Sequence, residues 1–170
     1  MPKNAKYAIL SFSGGLDSTS LLINLIHKGF QVQCITFDYG QNHSIEIERA
    51  SANIKYLKNN LEKLALDHKI VDIRQAFDRK SSSLLSNQKS IPKGYYQDTN
   101  MLSTFVPNRN AIFSSVIYAY AISIYKRTNE NVSISLGVHS GDHLIYPDCR
   151  PEFYESIIKS FDLGNWDSEH

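Results

Sequence analysis

Residues 13–19 read Ser13-Gly14-Gly15-Leu16-Asp17-Ser18-Thr19 and follow an apolar run, residues 7–12, that is typical of a buried strand. Paired glycines let a backbone approach an anion closely and adopt angles closed to other residues. Ser18 and Thr19 add hydroxyl groups where a helix N-terminus offers unpaired N–H groups and partial positive charge. The stretch lacks the Gly-Lys-Ser/Thr ending of a Walker loop and does not match Gly-x-Gly-x-x-Gly. It therefore predicts a different phosphate-binding loop, rather than only a capped turn.

Strand-like and helical patterns alternate along the rest of the chain. Further strands are predicted at 31–37, 69–73 and 132–137. Helices are predicted at 18–28, 44–64, 110–125 and 151–163, with a break near Asn59-Asn60 as an option for the second. This order favours an α/β fold: an open, mainly parallel sheet with helices on both faces.

The chain length fits one domain over residues 1–170. Residues 75–104 show neither helical nor strand periodicity. A loop this long inside a compact domain is usually functional or mobile, so the segment is predicted to be a lid or a mobile insertion.

Ligands of open α/β sheets bind beyond the carboxyl ends of the strands. The second strand runs into Phe37-Asp38-Tyr39-Gly40-Gln41. There the backbone of Thr36 and Phe37 is predicted to contact an adenine, and Asp38 to contact a ribose or a metal. A plain turn at Asp38-Tyr39-Gly40 is the alternative.

An arginine opens the apolar third helix, in the segment Phe105-Val106-Pro107-Asn108-Arg109-Asn110. A cation at a helix N-terminus opposes the helix dipole and needs compensation. Arg109 is therefore predicted to bind a phosphate or carboxylate, since arginine holds such groups bidentately. Pairing with a surface carboxylate is the alternative.

A dense polar segment follows the fourth strand, first Gly137-Val138-His139-Ser140-Gly141-Asp142-His143 and then Tyr146-Pro147-Asp148-Cys149-Arg150-Pro151. Such a position favours substrate contact over metal ligation, and no metal ligand is assigned. Asp148 and Arg150 are predicted to act on a substrate base or on this loop. A nucleophilic role for Cys149 has no support from the sequence, because nothing there indicates a lowered pKa.

The loop at 13–19 resembles the SGGxDS signature of the ATP pyrophosphatase (PP-loop, adenine nucleotide alpha hydrolase-like) superfamily. Together with the motifs at 37–41, 105–110 and 146–153, it resembles the family of 7-cyano-7-deazaguanine synthases of the queuosine pathway. The motifs occur in that family's order and spread over nearly the whole chain.

The resemblance implies that ATP adenylates 7-carboxy-7-deazaguanine, that ammonia gives an amide, and that a second activation dehydrates the amide to a nitrile. ATP and Mg²⁺ are the implied cofactors, and Asp17 resembles a position that supports metal and phosphate binding. The predicted catalytic residues are Asp17, Arg109, Asp148 and Arg150. The predicted ATP-binding residues are Phe12, Ser13, Gly14, Gly15, Leu16, Asp17, Ser18, Thr19, Ser20, Leu21, Leu22, Thr36, Phe37 and Asp38.

The resemblance implies a homodimer. Members of this family normally continue further and carry four cysteines near the C-terminus that hold a structural zinc. This chain has only Cys34 and Cys149 and ends at His170, so those zinc ligands are absent. The resemblance therefore implies either a chain truncated at its C-terminus, or a short variant without zinc.

The formal charge of +1 gives no clustered positive charge for nucleic acid, and no apolar run reaches a membrane-spanning length. A cytoplasmic protein without nucleic-acid or membrane partners is expected. Two alternatives to the synthase reaction stay open. One is another adenylating PP-loop enzyme, such as a tRNA thiolase, an amidotransferase synthetase domain or a defence-linked relative. The other is a fragment that binds ATP without turnover.

Overall fold

The computed structural model describes residues 6–41, 45–61, 64–78, 82, 84–85, 104–138 and 146–166. Its strands are β1 (Lys6–Ser11), β2 (Phe30–Asp38), β3 (Leu66–Asp72) and β4 (Val132–Leu136). Its helices are α1 (Leu16–His27), α2 (Ile45–Asn60), α3 (Arg109–Thr128) and α4 (Pro151–Gly164). Short 3₁₀ turns lie at Arg74–Ala76 and Pro147–Cys149. The predicted alternation of strands and helices is confirmed.

The four strands form one parallel sheet in the order β3-β2-β1-β4. The chain moves outward from β1 to β3 and then returns to place β4 on the other side of β1. This reversal opens a crevice at the carboxyl ends of β1 and β4, which is where open α/β sheets bind their ligands.

Helices cover both faces of the sheet, because successive strand residues point to opposite sides. One face packs against α1 and α2, and the other packs against α3. The first core contains Ala8, Leu10, Phe12, Leu22, Leu25, Val32, Cys34, Ala50, Ile54 and Leu66. The second contains Ile9, Ile35, Phe37, Ile117, Ala121 and Ile124. The predicted open α/β sheet with helices on both faces is thereby confirmed.

Several element boundaries differ from the sequence prediction, and two of the largest differences are at the end of α2 and the start of β3. Helix α2 ends at Asn60, at the predicted break, and Leu61 beyond it is 43% exposed. Strand β3 begins at Leu66, three residues early, because Leu66 pairs with Val32 of β2. The polar Asp67 and His68 next to it obscure the strand pattern in the sequence.

The proposed lid at 75–104 lies mostly outside the described residues. Of the described part, Ser82 and Leu85 are buried. Within the described ranges, no helix combines the length and the apolar content that crossing a membrane requires.

Candidate active site

A cavity of about 320 Å³ lies at the carboxyl ends of β1, β2 and β4. Ser13 and Ser18 of the phosphate loop line it, together with Thr36 and Phe37 from β2 and Arg109 from α3. Cavities of this size are typical of small-molecule sites. Three sequence segments predicted to contact one ligand therefore meet in one place.

Gly14 brings the phosphate loop against helix α2. Its φ is 77°, in the left-handed region that favours glycine. A Cβ at this position would lie 2.6 Å from the backbone nitrogen of Ala50. Asn53 Nδ2 of α2 also donates a hydrogen bond to the Gly14 carbonyl, at 3.2 Å. Helix α2 therefore packs against the loop at a distance that only glycine permits at position 14.

Hydrogen bonds inside the loop determine which way its hydroxyl groups point. Ser18 Oγ donates to the Gly15 carbonyl at 3.2 Å, and Gly15 N–H donates to Ser13 Oγ at 3.3 Å. Because the Ser18 proton is already used, Ser13 is the donor in the 3.1 Å contact between the two hydroxyl oxygens. Gly15 caps α1 without a side-chain hydrogen bond, so the first N–H groups of α1 have no side-chain acceptor.

The end of β4 packs directly against the start of α1. A Cβ on Gly137 would lie 3.3 Å from the backbone nitrogen of Ser18. Gly137 and the adjacent Val138 both line the cavity. The crevice between β1 and β4 is therefore closed at its base by backbone, and its polar wall is the phosphate loop.

Arg109 is the first residue of α3 and places a positive charge at the cavity. Its Nε lies 3.4 Å from Asn110 Oδ1, and it forms no ion pair with a carboxylate among the described residues. Burial raises the pKa of the Tyr39 hydroxyl, and the charge of Glu46 acts in the same direction, whereas the positive charge of Arg109 and its hydrogen bond to this hydroxyl oppose them. Tyr39 is therefore a neutral hydrogen-bond partner, and no ion pair among the described residues matches the charge of the guanidinium.

The buried Asp148 compensates the N-terminus of α3. Its Oδ2 accepts a hydrogen bond from Asn110 N–H at 3.4 Å, and its carbonyl accepts one from Asn110 Nδ2 at 3.1 Å. The sequence argument favoured a bound anion for this compensation, with a surface carboxylate paired to Arg109 as the alternative. A carboxylate from the segment before α4 supplies part of it, a tertiary contact that local sequence cannot show.

A family model described as "Queuosine biosynthesis protein QueC" matches residues 7–169. The chain belongs to the QueC family. It is 41% identical over 161 residues to a 7-cyano-7-deazaguanine synthase from Marinomonas sp., a match that covers 95% of this chain and 68% of that protein. A synthase of the same name from Caldicellulosiruptor saccharolyticus is 42% identical over 94% of this chain and 65% of its own length. A third synthase of that name, from Methanoregula boonei, is 41% identical over 94% of this chain and 68% of its own length. The chain thus spans about two thirds of the length of these relatives.

Some of the predicted site residues line the cavity, and others lie in the loop beside it. Those that line it are Phe12, Ser13, Ser18, Thr36, Phe37 and Arg109. In the loop beside it lie Gly14, Gly15 and the exposed Asp17. Thr19 is also there, with a buried hydroxyl that has no hydrogen-bond partner among the described residues.

The remaining predicted residues are not in the cavity lining. Leu16 is 82% exposed and Ser20 is exposed, whereas Leu21 packs on the core and Leu22 is fully buried in it. Asp38 accepts a hydrogen bond from Gly40 N–H and lies 3.5 Å from Arg74 Nε. Asp148 lines a smaller cavity of about 60 Å³ that shares Arg109 with the main one, and Arg150 is exposed at the start of α4. The roles of these residues stay predictions.

Several residues of the lining were not predicted as site residues. Phe113 stacks on Phe37 with ring centroids 4.1 Å apart, one helical turn beyond Arg109. That spacing on the α3 face was the available signal. Glu46 and Leu84 reach the cavity from α2 and from the long connection before α3, and no local pattern marks them. His43, His139, Asp142 and His143 lie outside the described residues.

The two cysteines do not fit a zinc site. Burial raises the pKa of the Cys34 thiol to about 12, whereas zinc binds thiolates. Cys149 is buried beside Asn110, whose Nδ2 lies 3.5 Å from its sulfur. Among the described residues, no three His, Cys, Asp or Glu side chains are grouped to hold a metal.

Asp148→Ala is expected to lower the free energy of unfolding by about 0.5–2 kcal/mol, the usual cost of losing a helix N-cap. The physical reason is that the buried Asn110 N–H loses its acceptor. Urea unfolding would measure this, with Glu155→Ala on the exposed face of α4 as the control. Unchanged stability with lost turnover would instead assign the carboxylate to the substrate.

Proposed function

We propose that this chain binds ATP at the phosphate loop and carries out the 7-cyano-7-deazaguanine synthase reaction of its relatives. One observation supports this most directly. The N-terminus of α1, whose N-cap makes no side-chain hydrogen bond, and the guanidinium of Arg109, which has no carboxylate partner among the described residues, belong to the same cavity. Two positive groups around one site favour a ligand that carries several negative charges, as a triphosphate does.

In the first half-reaction, the carboxylate oxygen of 7-carboxy-7-deazaguanine attacks the α-phosphorus of ATP. The bond to the β-phosphate oxygen breaks, and pyrophosphate leaves with the negative charge. We place this pyrophosphate on the loop at 13–19, where backbone N–H groups stabilise it. Ammonia then displaces AMP from the acyl adenylate and gives the amide.

In the second half-reaction, the amide oxygen attacks a second ATP, again with loss of pyrophosphate. Loss of AMP and of two protons from the amide nitrogen leaves the nitrile. Arg109 is placed on the phosphate or on the carboxylate during both activations. Phe37 and Phe113 stack on each other and both line the cavity, so aromatic surface is available beside a flat base.

Mg²⁺ fits this arrangement as an ion shared between the phosphates and one carboxylate. Magnesium usually keeps several waters and takes only one or two protein carboxylates when it binds with nucleotides. Asp17 is exposed in the first turn of α1, directly beside the loop, and is the residue that would hold it. When bound, the ion would neutralise charge on the departing pyrophosphate.

A homodimer in the cytoplasm completes the proposal. ATP is the co-substrate, and its supply favours that compartment. The exposed apolar side chains Ile158, Leu163 and Trp166 on and after α4 are available for contact with a second copy. Light scattering on the purified protein, with Trp166→Ser as the comparison, would measure the oligomeric state.

Turnover can be followed with the purified protein, ATP, magnesium, ammonium and 7-carboxy-7-deazaguanine. Mass spectrometry would report AMP and the base together. We expect AMP only when the acid is present, with the amide accumulating before the nitrile. Omitting ammonium should stop both products of the base.

Two outcomes would contradict the proposal in different ways. AMP release with a different acceptor, such as another carboxylic acid, would indicate a different adenylating PP-loop enzyme. ATP binding without AMP release under any of these conditions would mean that the chain binds the nucleotide but does not perform the reaction.

A further inference from the structure

A chain of two hydrogen bonds connects β3 through β2 to Phe12, the residue that precedes the phosphate loop. The buried Thr36 hydroxyl lies 2.6 Å from the carbonyl oxygen of Phe12. The same hydroxyl oxygen lies 2.8 Å from Nε2 of His68. Phe12 immediately precedes the loop, whereas His68 lies on the edge strand β3, outside every motif of the sequence analysis.

Only one placement of the protons satisfies all three groups. A carbonyl oxygen can only accept, so the Thr36 hydroxyl must donate its single proton to Phe12. With that proton used, the hydroxyl oxygen can only accept from His68. Nε2 of His68 therefore carries a hydrogen and donates it. The opposite direction would leave two acceptor oxygens facing each other at 2.6 Å.

Phe12 is the residue through which this chain of hydrogen bonds acts on the loop. Its N–H donates to the Ile35 carbonyl at 2.8 Å, so both of its backbone polar groups are tied to β2. Its side chain is 1% exposed and meets the His68 ring edge-on, with centroids 6.3 Å apart. Anion binding by backbone N–H groups depends on where the backbone is held, and Ser13 follows Phe12 directly.

We propose that His68 is a positioning residue for the phosphate loop, acting through Thr36 on the carbonyl of Phe12. The inference rests on the proposed binding of ATP at that loop. By donating from Nε2, His68 keeps the Thr36 hydroxyl directed at the Phe12 carbonyl. This fixes the position of the backbone at the start of the loop, where the N–H groups would bind pyrophosphate. Burial lowers the pKa of His68, with the charge of Lys58 acting in the same direction and that of Asp67 opposing both. The ring is then neutral near pH 7 and has one N–H, which the bonding assigns to Nε2.

The test compares variants that remove a donor with variants that keep it. His68→Phe keeps a planar ring without the N–H, whereas His68→Gln keeps a side-chain N–H. Thr36→Val removes the hydroxyl at nearly constant shape, whereas Thr36→Ser keeps it. Calorimetry with inorganic pyrophosphate and with ATP would give affinities, and initial rates would give kcat and KM.

We expect His68→Phe and Thr36→Val each to weaken pyrophosphate binding and lower kcat/KM for ATP by about three- to tenfold, as for one neutral hydrogen bond. The KM for the deazaguanine acid should not change. His68→Gln and Thr36→Ser should retain most of the affinity. The double variant should be no weaker than Thr36→Val alone, because His68 acts only through that hydroxyl.

Unchanged pyrophosphate affinity in His68→Phe, or additive losses in the double variant, would overturn the inference while leaving the proposed function intact. Failure of the unmodified protein to bind pyrophosphate or ATP would instead reject the proposed function. Nitrogen-15 NMR of the unmodified protein needs no variant to fold. A hydrogen on Nε2 is expected, and a neutral ring with its hydrogen on Nδ1 would overturn the inference.

Discussion

Gly14→Ala is expected to weaken ATP binding by at least about tenfold and to destabilise the protein more than any other single methyl added to the phosphate loop. The added Cβ would meet the backbone nitrogen and Cα of Ala50 at 2.6 and 2.7 Å. The φ of 77° is a second, independent penalty for a residue with a side chain. Strain of this kind costs about 1–3 kcal/mol, and overpacking adds about 1–3 kcal/mol. Because helix α2 cannot retreat without opening the core at Ala50 and Ile54, the loop should move instead.

Substitutions at two other glycines separate the cost of the backbone angle from the cost of the steric contact with α2. Gly29 has a φ of 79° but nothing within 4 Å of its missing Cβ, so Gly29→Ala isolates the backbone penalty. It should cost about 1–2 kcal/mol and leave ATP affinity unchanged, since it lies beyond the far end of α1. Gly15 has an ordinary φ of −75°, and its Cβ would meet only Ser13 Oγ at 3.4 Å. Gly15→Ala should change stability by less than about 0.5 kcal/mol.

Thermal unfolding and nucleotide calorimetry on the three variants would measure both quantities. Gly14→Ala should lose at least about tenfold in ATP affinity, equivalent to about 1.4 kcal/mol. Equal effects of Gly14→Ala and Gly29→Ala on stability, with ATP affinity retained in both, would mean that contact with α2 does not hold the loop.

The parts of the molecule that could be predicted are those determined by neighbours along the chain. Alternating strand and helix patterns led to the parallel sheet, because a strand followed by a helix must cross over before it pairs again. The paired glycines after β1 indicated a tight loop with a close backbone approach for a similar reason. The positive φ and the close approach to α2 at Gly14 both require a glycine, and a glycine can be recognised directly in the sequence.

The parts that could not be predicted depend on contacts between distant segments. Asp148 caps α3 from 38 residues away, so no local pattern reveals it. His68 occupies a strand whose polar start obscured its boundary, and its partner Thr36 is 32 residues earlier. Glu46 and Leu84 enter the cavity only because α2 and the connection before α3 pack over the same sheet edge. Such residues are found from the fold, after the strand order is known.

Arg109→Ala is expected to lower kcat/KM by about 10²–10³-fold while leaving the fold intact, the range seen when one group that stabilises transition-state charge is removed. Its guanidinium lines the cavity and has no carboxylate partner among the described residues. Arg109→Lys should recover only part of the loss, since an ammonium keeps the charge but not the planar pair of donors.

Arg109→Ala should not destabilise the protein. Lost turnover at unchanged stability would distinguish a functional role of Arg109 from a structural one. A cation in the first turn of a helix opposes the dipole, so its removal should be neutral or stabilising by about 0.3–1 kcal/mol. Arg127 lies in the last turn of the same helix, where a cation is favourable. Arg127→Ala should therefore lower stability by about 0.3–1 kcal/mol and retain turnover. Steady-state kinetics and urea unfolding of both variants would show these opposite patterns. Full turnover and unchanged ATP affinity in Arg109→Ala would remove this residue from the mechanism and leave the phosphate loop as the principal anion-binding element.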